Sequence, residues 1–229
     1  MRSYVEASAR HPNATRIGPL LDRIIPDVAL HARFVNTLAR MEYVGVRKML
    51  KSRRAEHLDL DGLQHILDEA VHALRLKKAA TALAGPDPAR VQTFADADTL
   101  AGDAGEGYLQ ALDRCAEEAL GDLPEAARAE ANYLLTSAAV EVRAQVFYPI
   151  YDQRLRALGA GFSVAAISKD EDRHLAEMSG GLARQLGEWR PRLEPVLAAE
   201  EALFGRLLTA FEAELPASPA GARPLVAAL

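Results

Sequence analysis

The sequence predicts an all-α protein built on four long helices with a fifth behind them, and three observations lead there. Aromatic residues are only 6% of the chain while alanine and leucine are abundant. That is helix-forming material without the β-branched and aromatic runs that strands need. Apolar residues recur at three- and four-residue steps over stretches closed by glycine or proline. The order of elements is long helix, short break, long helix, long polar passage, long helix, short break, long helix. Short breaks make antiparallel neighbours, so the order describes two hairpins joined by one crossover.

The elements follow in turn. Residues 1–25 read as an irregular lead-in with one short helix at "IGPLLDRII". Pro26-Asp27 opens the first long helix, about residues 27–54, because proline is tolerated in a first turn and aspartate suits a helix N-terminus. Its apolar face carries Phe34, Leu38, Met41, Val46 and Leu50. The break "AEHLDLDG" leads to a second helix ending at Gly85-Pro86. A polar passage and the shorter helix "YLQALDRCAEEALG" precede the third, about 124–158, in which Pro149 marks an expected kink. Gly159 and Gly161 stop it. The fourth covers about 165–186, the fifth about 190–215, and 216–229 reads as a loose tail. The whole, 1–229, is taken as one domain with its bundle core at 27–186.

Composition narrows the function classes. A net charge of −5 argues against a general nucleic-acid binder, which carries a basic face. The single cysteine, Cys115, excludes an intrachain disulfide or a CxxC metal site. No apolar run approaches the ~18 residues of a membrane span, and the N-terminus lacks a signal-peptide core, so a cytoplasmic protein is expected.

The chemistry lies in a pattern that occurs twice. "DEDRH" at 170–174 places Glu171 and His174 on one helix face, and "DEAVH" at 68–72 does the same with Glu69 and His72. Glu42 and Glu141 each sit alone in apolar surroundings on the neighbouring helices. In an antiparallel hairpin, residues level with one another are mirror images about the turn. Residues 42 and 72 reflect about residue 57, inside the first break; 141 and 174 reflect about the point between 157 and 158, just before "GAG". At 1.5 Å rise per residue, Glu42 and its partners lie roughly 20 Å from their turn, in mid-bundle. Four carboxylates balance two divalent cations, two imidazoles add neutral nitrogen ligands, and a mixed oxygen and nitrogen set suits iron or manganese. A single ExxH is ordinarily a solvated ion pair, and a single glutamate in an apolar stretch ordinarily snorkels. The repetition and the mirrored heights set this set apart.

On these residues the chain resembles the di-iron carboxylate proteins of the ferritin-like superfamily over roughly 27–186, with the D-E-x-R-H form of ribonucleotide reductase small subunits and bacterial multicomponent monooxygenases. The resemblance implies a ferritin-like four-helix bundle with a long crossover between its second and third helices and an extra C-terminal helix. It implies metal ligands Glu42, Glu69, His72, Glu141, Glu171 and His174, holding two iron ions (Fe/Fe, or Mn/Fe with the same ligands). Asp68 and Asp170 would orient the histidines, with Arg173 paired to such an acid. Three departures limit it. Leu76 stands where radical-bearing reductase subunits hold tyrosine, one cysteine excludes a rubrerythrin-type centre, and typical ferritins are shorter with one Glu-x-x-His.

Other residues rank lower. His65 shares the face of Glu69 and His72 but reads first as a packing or capping histidine. Tyr148 reads as core, Gln145 and Met178 lie one turn from ligands, and Tyr43 faces elsewhere. The expectation is a dioxygen-activating oxidoreductase acting on a small organic substrate with an external electron donor, without nucleic-acid or membrane partners and compatible with a homodimer. The competing expectations are a ferroxidase or iron-handling protein, and a metal-free helical scaffold.

Overall fold

The computed structural model describes residues 1–52, 58–85 and 91–216, and among these every regular element is helical. The eight α-helices are α1 (Arg2–Arg10), α2 (Pro12–Ile24), α3 (Val28–Ser52), α4 (Leu60–Ala84), α5 (Ala104–Glu118), α6 (Glu125–Ala157), α7 (Ala165–Leu186) and α8 (Arg190–Ala213). No helix among the described residues is long and apolar enough to cross a membrane. The expected loose tail lies outside the described residues from 217 onward, as do 53–57 of the first break and 86–90 of the crossover.

Local chemistry sets the ends of the long helices. The Asp27 carboxylate accepts from the Ala29 and Leu30 amides (3.0 and 3.1 Å), and Asp59 caps α4 by accepting from Gly62 N at 2.9 Å. Gly85, Gly159 and Gly187 follow α4, α6 and α7 with φ near +60 to +70°, the left-handed region where a Cβ is strained. α6 stays helical through Pro149.

α3 packs along α4, and α6 along α7. Pairs that meet across each hairpin move in opposite directions along the two chains: Asn36 with Lys77, Glu42 with Glu69, then Asp152 with Val164, Gln145 with Ser168, Glu141 with His174. Both hairpins are therefore antiparallel. Near Gly181 the helices α6 and α7 approach closely, for a Cβ there would lie 2.7 Å from Leu134. The polar crossover is pinned to the first hairpin. Asn36 Nδ2 donates to the Thr93 and Asp98 carbonyls (both 2.8 Å), and Lys77 Nζ donates to the carbonyls of Val91 and Thr93.

Phe34 on α3 is fully buried among Phe147 and Tyr151 of α6 and Phe211 of α8. It joins three helices, and its truncation would cost about 3–5 kcal/mol. The N-terminal segment differs from the sequence expectation, being two helices rather than an irregular lead-in with one. His11 accepts from Asn13 N and Pro12 stands at the first helical position, so α2 starts well before "IGPLLDRII". Its buried face of Ile17, Leu20, Leu21 and Ile24 packs on α6 and α8. That burial outweighs the propensity lost at Gly18 and Pro19.

Candidate metal centre

Mid-way along the two hairpins the structure brings together Glu42 of α3, Glu69 and His72 of α4, Glu141 of α6, and Glu171 and His174 of α7. It adds one residue ranked low from sequence, His65 of α4. Two overlapping sets form. His65, Glu69, Glu141 and His174 offer donor atoms all within 4.8 Å of one another, and so do Glu42, Glu69, His72 and Glu171. Glu69 belongs to both. His72 and His174 are fully buried, His65, Glu69, Glu141 and Glu171 nearly so, and Glu42 is half-buried.

Each imidazole turns one nitrogen toward the carboxylates. His174 Nδ1 lies 2.9 Å from Glu171 Oε2, 3.2 Å from Glu69 Oε1 and 3.8 Å from Glu141 Oε1. His72 Nδ1 is 3.5 Å from Glu171 Oε1, and His65 Nε2 is 3.4 Å from Glu69 and 3.6 Å from Glu141. The opposite nitrogens are held from outside, and for two of them the holding is crossed. Asp170 on α7 takes His72 Nε2 of α4 (3.1 Å), while Asp68 on α4 lies 3.4 Å from His174 Nε2 of α7. Arg173 hydrogen-bonds Asp68 and also Glu177 (2.8 Å). His65 Nδ1 meets the Tyr133 hydroxyl at 3.2 Å, and the His65 ring stacks on His174 with centroids 3.9 Å apart.

Electrostatics show how uncomfortable this cluster is without a cation. Burial pushes Glu42 and Glu171 well above the usual carboxylate range, with the neighbouring glutamates adding to it. Burial likewise raises Glu141 to about 7. Burial works against ionised Glu69 too, but His174 and His65 outweigh it and hold that carboxylate ionised. Burial would neutralise His174, yet Glu171 and Glu69 overcome it and raise its pKa to about 11. Three inward atoms, Glu69 Oε1, His72 Nδ1 and Glu141 Oε2, make no hydrogen bond at all. The imidazoles near Glu69 Oε1 are close without being aligned as donors. Unpaired buried acceptors of this kind are costly, and cations in the two sets would satisfy all three. The donor set therefore fits a metal, and these buried His/Glu clusters could hold one.

The remaining candidates divide. The Tyr148 hydroxyl, read from sequence as core, hydrogen-bonds the Glu42 carboxylate from a buried position. Gln145 donates to the Ser168 carbonyl at 3.3 Å, Met178 is buried in the core, and Tyr43 stacks on Phe94 (5.5 Å) on the outer side of α3. His65 could have been found by its spacing: His65, Glu69 and His72 at i, i+4 and i+7 share one helix face. Spacing alone does not separate a ligand from a packing histidine, and the opposing Glu141 decides it.

A cavity of about 640 Å³ opens beside the cluster. Glu42, Glu69, Glu141, Glu171 and His65 form one part of its wall. Phe34, Leu38, Phe147, Leu207, Leu208 and Phe211 make another part apolar. Compared with protein-family models, curated proteins and solved structures, the chain matches none.

Proposed function

We propose that this chain is a non-haem dimetal oxidoreductase, with two iron ions, that activates dioxygen to oxidise a small organic substrate. The framework would be the ferritin-like bundle that the sequence resembles. The carrying observation is the conjunction of six buried and one half-buried carboxylate and imidazole side chains with an apolar cavity bounded by four of those carboxylates. Four glutamates would neutralise two divalent ions, and three imidazoles would give nitrogen donors to the two overlapping sets. Iron held there would supply electron transfer to dioxygen and oxidation of the substrate, replenished by an external donor.

The protein's own residues would do the rest. Glu69, the one residue common to both sets, would be a ligand in each. Asp68 and Asp170 would fix the ring orientation of His174 and His72 and raise their basicity. Tyr148 would hold the Glu42 carboxylate against rotation. The phenylalanine and leucine wall would exclude water and seat an apolar substrate. A site that only oxidises iron for storage has no need of so large an apolar chamber, and a metal-free scaffold would leave the three unpaired acceptors uncompensated.

Anaerobic titration with ferrous iron tests this reading, with two ions per chain expected and then an oxygen-dependent change in the optical spectrum. Binding of one ion or none would refute it. Mineralisation far beyond two irons, within a large cage on a sizing column, would shift it to iron handling.

A further inference from the structure

We infer that the outer face of α4 is a two-fold interface, and that its partner is the same face of a second copy of this chain. Four leucines lie open on that one helix: Leu60, Leu63, Leu67 and Leu74 are 79%, 52%, 56% and 52% exposed. They are half of the large hydrophobic side chains that stand exposed among the described residues. With the exposed Ala70 they follow one another at steps of three, four, three and four residues. That spacing keeps a seam on one side of a helix, facing a partner helix. The opposite side of α4 is committed to the bundle, where His65, Glu69, His72 and Leu76 are buried. A single exposed leucine is ordinary; four in one seam are not.

The occupant follows from the symmetry of the strip. Counted from Leu67, leucines stand seven residues away on both sides, at Leu60 and Leu74, and Leu63 is matched four residues away by Val71. A second copy running antiparallel about a two-fold axis at Leu67 sets Leu60 against Leu74, Leu63 against Val71, and Leu67 against itself. A closed dimer needs such self-complementarity. The charges on the helix agree. Asp61 near one end, and Arg75 and Lys78 near the other, are exposed, and none of them forms a salt bridge among the described residues. Antiparallel pairing brings the acidic end of one α4 beside the basic end of the other, whereas parallel pairing brings like ends together. The four leucines show roughly 400 Å² together, about half of one side of a standard interface, and Gln64, Ala70, Val71 and Lys78 flank them. An anionic lipid surface, which suits an apolar face rimmed by bases, would meet Asp61 at one end of the strip. The pairing braces from outside the helix that carries Glu69 and His72, and it does not depend on a bound metal.

Sedimentation equilibrium of the metal-free full chain, up to about 1 mM, tests the inference. A monomer–dimer equilibrium is expected. Leu67→Glu sets two carboxylates against each other at the two-fold and should weaken the dimer about a hundredfold, with helicity by circular dichroism unchanged. Leu158→Glu, at an exposed leucine just past α6, should leave the dimer as it was. A chain that is monomeric at every concentration would overturn the inference, and flotation of that monomer with phosphatidylcholine–phosphatidylglycerol vesicles would make a lipid surface the occupant. A dimer that survives Leu67→Glu would overturn it too, because the copies would then meet elsewhere. Should Leu67→Glu fail to fold, cross-linking decides. In a Cys115→Ser background, Leu60→Cys mixed with Leu74→Cys should be joined by a short bismaleimide far more than either variant alone, since each cysteine lies about 20 Å from its own counterpart in the second copy. Equal yields in all three samples would overturn the two-fold.

Discussion

The molecule buries two polar clusters, and they are opposite in kind. Around Arg143 every acid has a cation or a donor: Glu200 takes two bonds from the guanidinium and one from Tyr108, and Glu201 takes Arg143 and Ser8. Around Glu69 four carboxylates face three imidazoles, and three inward atoms find no hydrogen bond. The first cluster leaves none of its acids unpaired, only the Arg143 Nη1 edge, and can serve as structure. The second is complete only with cations added, which is why burial drives most of its carboxylates toward their neutral forms. Folding alone does not account for such an arrangement.

The sharpest way to break this contrast is to remove one partner from each side. Arg143→Met alone strands Glu200 as a buried charge and should cost about 3–5 kcal/mol in urea denaturation, equally with and without iron. Glu42→Gln, at a carboxylate that burial already drives toward its neutral form, should leave the metal-free protein as stable as before or more so, and sharply reduce the gain from added iron. That gain is about 4 kcal/mol at a metal concentration a thousand times the dissociation constant. If both variants lost the same stability without metal, the two clusters would be alike and the contrast would fail.

Acidity sharpens it next. Glu141, raised to about 7 from 4.5, contributes relative stability that is present below pH 4.5 and lost as pH rises through 7. His174, raised to about 11 from 6.5, contributes stability fully present below pH 6.5 and lost as pH climbs toward 11. The melting temperature of the metal-free protein should therefore fall as pH rises between about 5 and 9. The increment from iron should grow over the same interval, because each ligand must shed its proton, and protons should appear in a pH-stat on loading. Smaller in effect, Asp68→Asn or Asp170→Asn should weaken iron binding about 10- to 100-fold while changing urea stability little. Smallest, Tyr148→Phe removes one hydrogen bond and should shift stability by about 1 kcal/mol.

The sequence carried the metal cluster more legibly than the ion-pair cluster, and the reason is periodicity. Glu42, Glu69, His72, Glu141, Glu171 and His174 recur with helical spacing inside hairpins whose turns are marked, so reflection about each turn puts them level. Arg143 and Glu200 belong to α6 and α8, 57 residues apart, and no repeat or mirror relates them. Their pairing emerges only from how α8 lies against the bundle. His65 was visible on the right face, but its role depends on Glu141 from another helix. The start of α2 is hidden because Gly18 and Pro19 interrupt the propensity that normally announces a helix, while the surface it buries is tertiary information.

The crossed aspartates carry one more consequence. Asp68 steadies a ring belonging to the second hairpin, and Asp170 steadies one belonging to the first. Neither half of the molecule contains the carboxylate that holds the outer nitrogen of its own imidazole. Two polypeptides divided within the crossover should each bind iron poorly by themselves and recover full affinity only when recombined, so that the ion acts as the fastener between two incomplete halves.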